Sequence, residues 1–135
     1  MRLMTSAILS LAILANAASA SALPGLQNEK DINNGLLILA VADKIRRACD
    51  GIGGRLFTAK AYSNGLKDLA AKRGYSDAEI DAYINDKQEK AKMRERRNAY
   101  FASKGASNLD AQSLCVLGWD EMSRKSQIGQ LLRAK

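Results

Sequence analysis

The run GLLILAVA, Gly35 to Ala42, contains no polar side chain. On a helix it is apolar around its whole circumference, and a helix of that kind is normally buried, with other elements packed on every face. The chain is therefore expected to wrap around this segment. Strands are poor candidates for the wrapping. Val41, Val116 and Thr58 are the only valine and threonine residues after residue 22, and a pleated sheet favours these types. Helix ends, by contrast, are clearly marked. In AAKRGYSDAEI, Lys72 and Arg73 suit a last helical turn, Gly74 the left-handed position after it, and Ser76 with Glu79 a capping box for the next helix. FASKGASNLDA repeats the pattern with Lys104, Gly105, Ala106 and Ser107, and places Asp110 in a first turn.

These signals predict helices over residues 29–49, 55–73, 77–104 and 108–124, with a short helical turn over 126–133. Helix 55–73 carries Leu56, Ala59, Tyr62, Leu66 and Leu69 at spacings of three and four, which makes one buried face. The C-terminal part offers Leu114, Cys115, Gly118, Trp119 and Met122, then Ile128, Leu131 and Leu132. For residues 77–104 a second reading divides the helix near Asn85 and Asp86: apolar patterning fails between Gln88 and Arg97, and Asp86 with Glu89 spells another capping box. The expected fold is all-α, a small irregular bundle of about four helices plus a short C-terminal helix.

The first residues read as an address. Met1 and Arg2 form a positive n-region, AILSLAILA (Ala7 to Ala15) is apolar but too short to span a bilayer, and small residues follow. Residues 1–22 are expected to be a signal peptide cut after Ala20 or Ala22, leaving residues 23–135 as a single helical domain, periplasmic or secreted, with no membrane-spanning segment. An oxidising compartment gives Cys49 and Cys115, the only two cysteines, one intramolecular pairing. That bond would fasten the first helix to the last. The alternatives are an intermolecular bond and two free thiols; the expected state is a disulfide-bonded monomer.

The chain carries 21 Lys and Arg against 14 Asp and Glu, and removal of Arg2 leaves a net charge of +6. Such an excess favours anionic partners and says nothing of the fold. The densest charge run is DKQEKAKMRERRNAY, Asp86 to Tyr100. On a helical wheel Lys87 and Arg94 border the apolar stripe while Lys90, Lys92, Arg96 and Arg97 spread around the rest. A phosphate-tracking surface needs its cations on one side, so nucleic acid is excluded as the expected partner. Asp86 before Lys90 and Glu89 before Lys92 have the spacing that stabilises an exposed helix. Binding to anionic vesicles is expected to be weak, salt-sensitive and shared among many cations.

Catalytic constellations are not legible. There is no histidine and no CxxC, which removes the commonest general base, the commonest metal ligand and the thioredoxin pattern. Asp77, Glu79 and Asp81 read as helix-start chemistry. Asp120 and Glu121 are adjacent on a helix and look exposed, and Trp119 reads as core. The one glycine-rich stretch is CDGIGGRL. It marks a tight reversal between helices, and Gly51, Gly53, Gly54 and Arg55 are candidate anion-binding residues because a helix start follows. No strand precedes it and no Lys-Ser or Lys-Thr follows, so it is not a P-loop. No cofactor, metal or catalytic residue is expected.

The blocks EKDINNGLLILAVADKIRRAC, GYSDAEIDAYINDKQEKAKMR and CVLGWDEMSRKSQIGQLLR resemble those of a family of small exported bacterial proteins catalogued as a domain of unknown function. The likeness spans nearly the whole chain after residue 22 and includes Cys49 and Cys115; it implies no particular activity. The resulting expectation is a non-enzymatic protein that binds an envelope protein or an anionic envelope surface. The alternative is a periplasmic stress protein of the holdase type, opened when acid protonates its carboxylates.

Overall fold

The computed structural model describes residues 23–135, and the expected signal peptide, residues 1–22, lies outside the described residues. After a single 3-10 turn, Leu26–Asn28, the elements run α1 (Lys30–Ala48), β1 (Ile52–Gly54), α2 (Leu56–Lys72), α3 (Asp77–Asn85), α4 (Lys87–Ser103), α5 (Ala111–Ser123), α6 (Gln127–Gln130) and β2 (Leu132–Ala134). The fold is all-α with one tiny antiparallel sheet, in which Ile52 faces Ala134, Gly53 faces Arg133 and Gly54 faces Leu132. Among the described residues no helix is long and apolar enough to cross a membrane.

Helix α1 takes the central place that its composition predicts, packing against α2, α4, α5, α6 and β1. Two apolar clusters lie along it. Val41, Ile45 and Cys49 join Ile52, Phe101, Leu114, Leu117, Ile128, Leu131 and Leu132 in the larger one. Ile32, nearer the start of α1, joins Leu26, Ala70, Tyr75 and Ile80 in the smaller. Between the two, Leu36 to Ala40 are only half-buried, short of the burial expected of an all-apolar run, and Leu36 lines a cavity shared with Leu66 and Ala70 of α2 and Ile80 and Tyr83 of α3. The predicted stripe of α2 is correspondingly shallow: Tyr62, Leu66 and Leu69 are half-buried, and Leu56 is 65 % exposed.

The stops after α2 and α4 and the start of α3 form as read, whereas at Asp86 only the N-cap half of the expected capping box is present. Gly74 (φ 99) and Gly105 (φ 72) hold the left-handed turns after α2 and α4. Both bonds of the Ser76–Glu79 capping box are present, at 3.1 and 2.7 Å. Residues 77–104 are two helices, divided at Asp86, whose carboxylate accepts a bond of 2.8 Å from the Glu89 N–H. Asp110 is itself the N-cap of α5, one turn later than Ser107 suggested. Cys49 and Cys115 form the disulfide, with Cα atoms 5.1 Å apart. Gly118 permits this approach, since a Cβ there would stand 2.6 Å from both Ile45 Cγ2 and Ile52 Cδ1.

Three readings are corrected. The glycine stretch is a strand, β1, whose partner lies at the far end of the chain. Trp119 is 47 % exposed, because the buried positions of α5 are Leu114, Leu117, Gly118 and Glu121, and Trp119 lies off that stripe. Glu121 is buried at 1 % exposure. Its carboxylate accepts from the hydroxyls of Tyr100 and Ser126 and pairs with Arg124 at 2.9 Å. Burial, then this carboxylate, push the Tyr100 phenol up to about 12.

The smaller cluster is tied by polar contacts. Asn33 donates to the carbonyls of Leu26 and Glu29 and accepts from the Tyr83 hydroxyl. Arg73, after α2, donates to Glu29 and Asp31, and Tyr75 donates to Glu29 at 2.9 Å. The Arg73 hydrogen bond holds Asp31 down at about 2. A depressed folded pKa contributes stability that is present above the unfolded value and is lost as pH falls through the folded one. For Asp31 that window runs from about pH 4 down to about pH 2. In an acid titration followed by binding of an apolar dye, fluorescence is expected to stay flat above this window, and Arg73→Ala is expected to move the onset to higher pH. Dye binding by the wild type near neutral pH would contradict the clamp.

Candidate functional site

The small sheet brings distant basic residues together. In strand β2 Leu132 is buried while Arg133 and Ala134 are exposed, and Arg133 stands opposite Gly53. Arg133 and Lys135 lie over Gly53, where a Cβ would touch the Arg133 guanidinium at 3.5 Å and Lys135 Cγ at 3.4 Å, both ordinary contacts. Arg55 follows β1 directly. Its N–H donates to the Leu131 carbonyl at 2.8 Å and its Nε to the Leu132 carbonyl at 2.9 Å, so the guanidinium is fixed at the edge of the sheet.

A third cation comes from the turn between α5 and α6. The Ser126 N–H reaches back to the Glu121 carbonyl at 3.2 Å, and Lys125 occupies the left-handed position with φ 50. The equivalent positions after α2 and α4 are Gly74 and Gly105. A residue with a Cβ costs about 1 kcal/mol there, yet this turn keeps a lysine.

Arg55, Lys125 and Arg133, with Thr58 and Gln130, line an open cleft of about 500 Å³. A shallower extension of about 340 Å³ shares Arg55, Thr58 and Arg133 and reaches Leu56 and Phe57. Among the described residues no carboxylate lines either part. Among the described residues the ion pairs engage Arg46, Arg47, Arg73, Lys92 and Arg124, and none engages Arg55, Lys125 or Arg133. Two guanidinium groups, an ammonium and a hydroxyl are a donor set for phosphate or carboxylate oxygens.

The sealed carboxylate behind the cleft serves it. The Glu121 carboxylate accepts a hydrogen bond from the Ser126 hydroxyl, and the same Ser126 Oγ accepts from the Gly129 N–H at 3.0 Å. Helix α6 is thereby fixed against α5, and β2 with Arg133 follows α6 by one residue. Glu121 touches neither cavity and acts as a positioning group.

Of the predicted anion-binding residues, Arg55 lines the main cleft, and Gly54 lines the extension. Gly53 lies beneath Arg133 and lines neither part. Gly51 does not line the cleft; a Cβ there would meet Trp119 Cζ2 at 3.6 Å. Lys125, Arg133 and Thr58 were not read from the sequence; the only available signal was the alternation of Leu132 and Arg133 near the C-terminus. The dense charges of α4 stay dispersed, with Lys92 paired to Glu89, Arg96 bonded to Asn34, and Arg97 bonded to Asn98 and Asn108.

The model of a family of unknown function (DUF5333) matches residues 24–133, and the chain belongs to that family. No curated protein and no solved structure matches the chain.

Proposed function

We propose that this member of the family is a non-enzymatic, exported envelope protein that acts by binding anionic groups in the cleft of Arg55, Lys125 and Arg133. The observation that carries the reading is the convergence of three cations, from three parts of the chain, on a cleft lined by no carboxylate. Unneutralised cations left together repel one another, and an anion relieves that repulsion. The guanidinium, ammonium and hydroxyl groups of the cleft are hydrogen-bond donors suited to holding an anion. The disulfide supports an oxidising compartment.

Titration with inorganic phosphate, followed by backbone amide shifts, tests the site. Shifts are expected at Thr58, Lys125, Gly129 and Arg133, weakening with salt and lost in Arg133→Ala. Shifts centred on Lys90 and Lys92 of α4, or none, would overturn the reading. Export is checked separately: the intact mass of protein from the envelope fraction is expected to match a chain starting at Ser21 or Leu23, and recovery of full-length protein in the cytoplasm would refute it.

A further inference from the structure

The cleft has an apolar edge that folding does not explain. Phe57 is 93 % exposed and Leu56 is 65 % exposed, side by side in the first turn of α2. Both line the extension of the cleft, beside Arg55 and Arg133. Trp119, the chain's only tryptophan, lies against Gly51 at the other end of β1 and is 47 % exposed. The outer side of the sheet between these points presents Arg133 and Lys135 across Gly53. Cations are thus flanked by large, exposed apolar side chains.

We propose that this end of the molecule docks on an anionic phospholipid bilayer. Leu56 and Phe57 enter the boundary between headgroups and acyl chains, while Arg55, Lys125 and Arg133 contact lipid phosphates. The inference rests on the anion-binding reading of the cleft and specifies its occupant. Charge complementarity selects the bilayer, since an anionic leaflet offers phosphates to the cations of the cleft and to Lys135 beside them, with an acyl boundary next to those phosphates for the apolar edge. The shape of the apolar part agrees. A stable protein interface covers about 800 Å² on each partner around a desolvated core, whereas two protruding side chains bordered by arginines make an insertion tip. Long basic side chains suit the same boundary, with the charge at the headgroups and the stem against apolar surface. Attachment of this kind needs no spanning helix and is reversible.

The test is co-sedimentation of the protein, as isolated from cells, with vesicles of phosphatidylcholine alone or mixed with phosphatidylglycerol. Binding is expected only to the mixed vesicles. Phe57→Ser is expected to weaken it about tenfold, from the apolar surface withdrawn from lipid. Arg133→Ala is expected to weaken it about fivefold, the effect of one cation near an anionic leaflet. Lys90→Ala on α4 serves as the exposed-charge control and is expected to change binding less than either. Circular dichroism checks that each variant is folded, which the exposure of Phe57 favours. Unchanged binding by Phe57→Ser overturns bilayer docking. If Arg133→Ala still weakens binding in that case, the anion-binding reading survives without the insertion. Absence of wild-type binding to the mixed vesicles also overturns docking, and the phosphate titration then decides the cleft by itself. Equal loss in Lys90→Ala and Arg133→Ala would show dispersed attraction and overturn it as well.

Discussion

Replacing Cys49 and Cys115 together by serine is expected to lower the free energy of unfolding by about 4 kcal/mol. The bond closes a loop between positions 66 residues apart, with Cα atoms separated by 5.1 Å, and chain entropy makes long loops the most costly to leave open. Its site magnifies the effect. Cys49 ends α1, the helix on which α2, α4 and α5 all pack, and Cys115 lies in α5. The bond thus joins the centre of the bundle to the helix whose far end positions α6 and β2. Against a total stability of about 5–15 kcal/mol for a small domain, a melting-point drop on the order of 20 °C follows. The double variant avoids the stray Cys115 thiol that a single substitution would leave half-buried. Thermal unfolding is to be followed for oxidised protein, reduced protein and the double variant, and the last two are expected to melt together. A melting point indifferent to reductant would mean that packing alone sets the stability.

What was legible in the sequence was what neighbouring residues decide. GLLILAVA places α1 at the centre because its character does not depend on any partner. The Gly74–Ser76–Glu79 stop and start reads correctly because every group in it lies within one turn of another. Even the break at Asp86 was spelled locally, by Asp86 and Glu89. The misreadings share a different cause. Strand β1 exists because Gly53 and Gly54 meet Arg133 and Leu132, a pairing across most of the chain that no window of periodicity detects. Glu121 looked like one of two exposed acids, and its burial depends on Tyr100, Ser126 and Arg124 arriving from other turns. Trp119 was assigned by its size, whereas its angle on α5 decided its exposure. The candidate site was half legible for the same reason. Arg55 and the glycines announced a helix start, while Lys125 and Arg133 reach it only through the sheet and α6.

Gly129→Ala is expected to destabilise the protein by at least about 3 kcal/mol, beyond the usual cost of one added methyl in a packed site. By helix propensity alone the change should help, since alanine is better than glycine in a helix by about 1 kcal/mol. Contact reverses the sign. A Cβ on Gly129 would stand 2.0 Å from the Glu121 carbonyl oxygen, 2.4 Å from its carbon and 2.8 Å from Met122 Cα. All three are backbone atoms of α5, so no rotamer change makes room, and α6 must lift away. Lifting α6 breaks what holds it: the Ser126 hydroxyl bond to the Glu121 carboxylate, the Gly129 N–H bond to Ser126, and the burial of Ile128 and Leu131. Strand β2 follows α6 after Leu131 alone, so its pairing with β1 and the placement of Arg133 are disturbed together. The variant is therefore expected to lose phosphate-dependent amide shifts in the cleft even where it remains folded. Gly65→Ala is the matched control. Gly65 lies within α2 with nothing in reach of a new Cβ, and there propensity should prevail, adding up to about 1 kcal/mol. Urea unfolding of the two variants reads both signs. A Gly129→Ala protein at least as stable as wild type would refute the close seating of α6 on α5, and with it the route by which Glu121 positions the cationic cleft.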